Sequence, residues 1–142
     1  MVKILFVCWG NICRSPMAEF VMKDMVQKAG RSEDFYIDSA AASREEIGNP
    51  IYPPAQRELN RHGILGAYHR ARQITTADLQ KFDRIYYMDS RNARYLRQLF
   101  PNFDGFLPFL PYDVADPWYS GDFGQTWEDI QAGCQRILEE LS

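Results

Sequence analysis

Lys3-Ile4-Leu5-Phe6-Val7-Cys8 constrains the fold more than any other stretch of the chain. A strand with one face in water alternates apolar and polar residues, whereas this run is almost continuously apolar and is predicted to lie buried on both faces of a parallel sheet. Directly after it comes Trp9-Gly10-Asn11-Ile12-Cys13-Arg14-Ser15-Pro16, in which Gly and Asn suit a tight loop. Ser15 followed by Pro16 reads as the N-cap and first residue of a helix. That helix has an apolar face at Val21, Met22, Met25, Val26 and Ala29, and Gly30 suits its C-terminal cap. Strand, tight loop and helix together open a βαβ unit.

The pattern then repeats. Strands are predicted over 35–39, 84–88 and 105–110, rich in aromatic and β-branched residues, and helices over 55–62 and 91–100. The last helix carries Trp127, Ile130, Cys134, Ile137, Leu138 and Leu141 at spacings of three and four. The expected fold is α/β: a three-layer sandwich with a central four-stranded parallel sheet, helices on both faces and a tight loop after the first strand. Its 142 residues allow one ordinary core, so residues 1–142 are read as a single domain. Ligands of such sheets bind beyond the carboxyl ends of the strands, which is where the Cys8 loop falls.

A net charge of −3 gives no overall attraction to nucleic acid or to an anionic membrane surface, so any anion site must be local. The apolar run at the N-terminus is too short for a signal peptide, and no later run approaches a membrane span. Three widely spaced cysteines, Cys8, Cys13 and Cys134, do not make a disulfide scaffold. A cytoplasmic protein with reduced thiols is expected.

Cys8 and Arg14 stand five residues apart on a loop between a buried strand and a helix start. Such a loop can curl until successive backbone N–H groups converge, just where the helix N-terminus adds its partial positive charge. Arg14 adds a planar fork that bonds two phosphate oxygens side by side. The same field favours the thiolate of Cys8, the form that attacks. A nucleophile would then face a bound phosphoryl group.

Val7-Cys8-Trp9-Gly10-Asn11-Ile12-Cys13-Arg14-Ser15-Pro16 closely resembles the signature loop of the low-molecular-weight protein tyrosine phosphatases. Asp38-Ser39-Ala40-Ala41, Gly48-Asn49-Pro50, His62-Gly63-Ile64, His69-Arg70-Ala71-Arg72-Gln73, Met88-Asp89 with Asn92, and Asp116-Pro117-Trp118-Tyr119 follow as further landmarks in order. The resemblance implies hydrolysis of phosphotyrosine in proteins through a phosphocysteine. Cys8 would attack, Arg14 and the loop amides would bind phosphate or another tetrahedral oxyanion, and Asp116 would act as general acid and base. Pro117 biases Asp116 toward an extended backbone, which helps fix its side chain. Trp9, Gly10, Asn11, Ile12, Cys13, Arg14, Ser15, Trp118 and Tyr119 would form the substrate pocket. By the same resemblance Ser15 bonds the cysteine sulfur, and Ser39 and His69 hold Asn11, whose side chain tolerates a left-handed backbone. No metal or cofactor is implied.

Bland readings stand beside these. Cys13 either packs or, as the resemblance suggests, forms a reversible disulfide with Cys8. Cys134 lies on the apolar stripe of the last helix and is read as inert core. Asp116 alone would cap a turn. A zinc site at Cys8 and Cys13 would need two further ligands, and Cys134, His62 and His69 have no ligand-pair spacing. His62 suits a helix C-terminus, and Arg91, Arg94 and Arg97 form a solvated face that could also steer acidic substrates. Within the resemblance, a branch acting on phosphoarginine carries threonine where this chain has Ile12. An arsenate reductase would use a downstream cysteine pair, and a non-catalytic phosphoanion module would lack the nucleophile or the acid.

Overall fold

The computed structural model describes residues 1–141. Its sheet is built from β1 (Val2–Cys8), β2 (Phe35–Ala41), β3 (Arg84–Tyr87) and β4 (Phe106–Pro108). The order is β2-β1-β3-β4 and every pairing is parallel, which is the expected sheet. Its helices are α1 (Arg14–Lys28), α2 (Pro53–Arg61), α3 (Thr76–Lys81), α4 (Ser90–Leu99), α5 (Pro117–Ser120) and α6 (Phe123–Glu140).

The two faces of β1 explain its composition. Ile4, Phe6 and Cys8 face one apolar cluster with Met17, Val21 and Met22 of α1 and Ile130, Cys134 and Ile137 of α6. Leu5 and Val7 face a second cluster with Phe82, Ile85, Leu96 of α4 and Phe106. Ile4 through Val7 are fully buried, each side chain contributing about 1.5–3 kcal/mol of burial. An alternating strand could not have served both layers.

The chain leaves β1 toward β2 on one side and returns as β3 on the other. Cys8, the last residue of β1, therefore stands at the point where the strand order reverses, with Ala41 beside it on β2.

The start of α1 differs from the expected Ser15-Pro16 pair: the helix begins at Arg14, with Cys13 at the N-cap making no side-chain cap bond. The Ser15 hydroxyl does not cap because it is engaged beneath the loop. Pro16 remains within the first turn, where its missing N–H costs nothing. Gly30 follows the helix at φ 69°, as the C-terminal cap requires. The strand expected over 105–110 shortens to three residues, and α6 starts earlier than its apolar stripe, at Phe123, with Asp122 accepting from Gln125 N–H. The short helix α3 was outside the sequence reading. It is fixed by a reciprocal capping box between Thr75 and Asp78.

Candidate active site

From Cys8 to Arg14 the chain curls between β1 and α1. Its carbonyls are turned outward and held: Cys8 O accepts from Ala42 N–H at 2.8 Å, Trp9 O from Ser43 N–H at 3.0 Å, and Ile12 O from Tyr52 N–H at 2.9 Å. Amides of such a curl face inward, and Asn11 N–H indeed points at Cys8 Sγ at 3.3 Å. The turn depends on Asn11, the one non-glycine residue at positive φ (61°) among the described residues. The uncapped first turn of α1 opens onto the same concavity, so N–H groups and helix dipole converge where an oxyanion would sit.

Beneath the loop lies a polar network whose proton directions can be worked out. Asn11 Oδ1 accepts from Arg72 N–H at 3.2 Å, which fixes the amide orientation, and Asn11 Nδ2 then donates to Ser15 Oγ (2.8 Å) and Ser39 Oγ (3.0 Å). Having accepted from Asn11, the Ser15 hydroxyl can donate to Cys8 Sγ at 3.0 Å. The Ser39 hydroxyl in turn donates to Glu19 Oε1 at 2.7 Å. His69 Nε2 lies 2.7 Å from Asn11 Oδ1, an acceptor, so this nitrogen carries a proton. Burial lowers the His69 pKa, against the pull of Glu19 and Asp38. Asn11, Ser15, Ser39 and Glu19 are all buried, so each unmade bond here would leave a dry polar group.

Arg14 is 1% exposed, which demands countercharge. Its Nη1 donates to Asp89 Oδ2 at 2.7 Å and to Val114 O at 2.8 Å, and its Nη2 lies 3.3 Å from Asp116 Oδ2. Burial opposes the charge, but Cys8, Asp116 and Asp89 outweigh it and the Arg14 pKa rises above its ordinary value. Asp116 has the extended backbone expected before Pro117 (φ −75°, ψ 113°) and does two jobs: Oδ1 caps α5 by accepting from Trp118 N–H at 3.0 Å, while Oδ2 faces Arg14.

Cys8, Trp9, Gly10, Ile12, Cys13, Arg14, Asp116, Trp118 and Tyr119 line one cleft, together with Glu45 and Glu46, which the sequence reading did not place there. The side chains of Asn11 and Ser15 lie below it rather than in its lining. Trp118 rests on Tyr52, with ring centroids 4.9 Å apart. Cys13 is buried, and burial with the neighbouring Cys8 and Asp116 pushes its pKa up, which keeps it a protonated thiol. Cys134 is wholly buried on α6, where burial raises its pKa too. His62 is the C-cap of α2 and stacks on Trp127 at 3.8 Å. Glu19, Asp38 and His69 hold ligand-type atoms within 4.8 Å of one another. Lys23, Ser39 and Arg72 already occupy the two carboxylates, so the group reads as a hydrogen-bonded hub.

Fold and cleft define a class: an α/β protein with an oxyanion cradle at the switch point of a parallel sheet and a thiol at its base. The family model described as low molecular weight phosphotyrosine protein phosphatase matches residues 3–142. YfkJ of Bacillus subtilis, a low molecular weight protein-tyrosine-phosphatase, is 39% identical over 150 residues, covering 99% of this chain and 96% of YfkJ. The human low molecular weight phosphotyrosine protein phosphatase is 38% identical over 152 residues, covering 96% of this chain and 94% of that protein. The crystal structure of SP-PTP, a low molecular weight protein tyrosine phosphatase from Streptococcus pyogenes, superposes with a TM-score of 0.93 at 41% identity, covering 100% of this chain and 94% of that one. The chain belongs to the low molecular weight phosphotyrosine protein phosphatase family.

Proposed function

We propose that residues 1–142 act in the cytoplasm as one phosphatase domain that hydrolyses phosphotyrosine in proteins through a phosphocysteine intermediate. The Cys8 thiolate attacks phosphorus and the bond from phosphorus to the tyrosyl oxygen breaks. Asp116, as the carboxylic acid, gives its proton to the departing oxygen. Arg14 and the loop amides hold the equatorial oxygens as charge moves through the transition state. In the second step Asp116 takes a proton from water, water attacks phosphorus, and the P–S bond breaks to restore the thiolate. Ser15, 3.0 Å from Cys8 Sγ, donates to the sulfur as it leaves. Trp9, Ile12, Trp118 and Tyr119 give the cleft walls suited to a phenyl ring.

The observation that carries this reading is the placement of Asp116 Oδ2 3.3 Å from the guanidinium of Arg14, in the cleft that Cys8 also lines. An acid so placed is within reach of the leaving oxygen of a phosphate bound by Arg14. The test is hydrolysis of phosphotyrosine, phosphoserine and phosphoarginine peptides with a chelator present, beside Cys8→Ser. Phosphotyrosine turnover that disappears in Cys8→Ser supports the reading. Preference for phosphoarginine would change the substrate class, and activity that requires added metal would overturn the cysteine mechanism.

A further inference from the structure

Trp9 sits directly after the cysteine and is gripped by three residues from two parts of the chain. Its indole N–H donates to Glu45 Oε2 at 2.9 Å. The guanidinium of Arg91, on the first turn of α4, lies 3.7 Å from its ring centroid, and Tyr95, one turn further along, meets it edge-on at 5.0 Å. Trp9 lines the cleft, whereas Arg91 and Tyr95 do not. The two α4 residues therefore hold the indole from outside the space a substrate would fill. Arg91, Arg94 and Arg97 are all exposed, as the solvated face read from their spacing requires, and Arg91 adds to that a contact of its charge with this ring.

A single indole on a short loop would otherwise have to be ordered on binding, at the entropic cost of immobilising its side chain. Held in advance, it presents a fixed aromatic wall to the cleft that Trp118 and Tyr119 also line. Building on the proposed phosphatase reading, we infer that Arg91 is a positioning residue for substrate selection: it pre-orders Trp9 as a rigid aromatic wall that favours planar aryl phosphates over flexible alkyl phosphates. The effect passes through the indole and leaves the chemical steps alone.

The test compares Arg91→Ala, Arg91→Lys, Trp9→Leu and the double variant on a phosphotyrosine peptide and on glycerol phosphate, at low and high salt. In Arg91→Ala, kcat/KM for the peptide falls about threefold to fivefold, the range of one exposed cation–π contact, with kcat unchanged. Glycerol phosphate turnover does not follow, and Arg91→Lys, which keeps the cation, recovers most of the loss. In a Trp9→Leu background Arg91→Ala has no further effect, because the residue through which it acts is gone. A loss that persists in that background and shrinks with salt would show long-range attraction instead and overturn the inference. So would an active enzyme in which Arg91→Ala changes nothing. A wild-type protein inactive on every phosphate ester would overturn the phosphatase reading and this inference together.

Discussion

Asp89→Asn changes one atom type beside Arg14, yet the structure gives it a large expected cost. Asp89 serves two partners: Oδ2 accepts from Arg14 Nη1 at 2.7 Å, and Oδ1 accepts from Asn92 N–H at 2.8 Å in the capping box of α4. Asparagine is as good an N-cap as aspartate, so the helix alone would tolerate the change. It has only one acceptor oxygen, however. If that oxygen caps α4, the amide nitrogen faces Arg14, donor against donor; if the amide flips, it faces Asn92 N–H instead. Breaking one partner of a buried ion pair costs about 3–5 kcal/mol. Asp89 is 16% exposed at its side chain, and Asp116 remains 3.3 Å from the guanidinium, so the low end applies, about 3 kcal/mol. With a urea slope of about 2 kcal/mol/M, the unfolding midpoint falls by about 1.5 M. Because the same bond aims Arg14, kcat/KM for an aryl phosphate falls on the order of 10²-fold. Urea titration and steady-state kinetics on one preparation check both numbers. An unchanged midpoint and unchanged kcat/KM would refute the reasoning; a lowered midpoint with full activity would show that Asp89 braces the fold and not the aim of Arg14.

Asp116→Asn keeps the cap on α5 but removes the proton; it slows aryl phosphates with poor leaving groups about 10²-fold more than those with good ones, seen as a steeper dependence of rate on leaving-group pKa. Gly133→Ala places a methyl group on the ring of Phe109, which is fully buried against Phe6. Overpacking of about 3 kcal/mol, less about 1 kcal/mol of helix propensity regained, leaves a loss of about 2 kcal/mol by urea unfolding. Burial alone would raise the Asp78 pKa, but bonds from Arg72 and Thr75 outweigh it and hold it below the ordinary 3.8. A depressed carboxylate contributes stability that is present above its unfolded pKa and lost as pH falls through the folded value. Asp78→Asn therefore flattens the fall in unfolding free energy below pH 3.8, measured across a pH series.

The centre of the fold was legible because β1 is buried on both faces, and only a nearly unbroken apolar run satisfies that. The tight loop was legible because Asn11 tolerates the left-handed backbone on which its turn depends. The helix start was misplaced because Ser15 has the composition of a cap and the duties of a network member, which only tertiary contacts reveal. Asp89 appeared in the sequence as a landmark without a task, since its partner Arg14 is 75 residues away. Glu19 was an ordinary helical acid until Ser39 and His69 came into reach. The Thr75 to Asp78 capping box of α3 was readable in principle, but six residues give too little periodicity to signal a helix.

The partners of Arg14 also order events during folding. β1, α1 and β2 are neighbours in sequence, and their contacts close early at modest loop entropy. Asp89, Val114 and Asp116 lie 75, 100 and 102 residues beyond Arg14, so the guanidinium finds its partners only after most of the chain has condensed. A nascent or partly refolded chain would hold a thiol on its loop beside an arginine not yet aimed. Recovery of turnover during refolding should therefore trail the recovery of helix and sheet, making catalysis a clock for the final closure of the molecule.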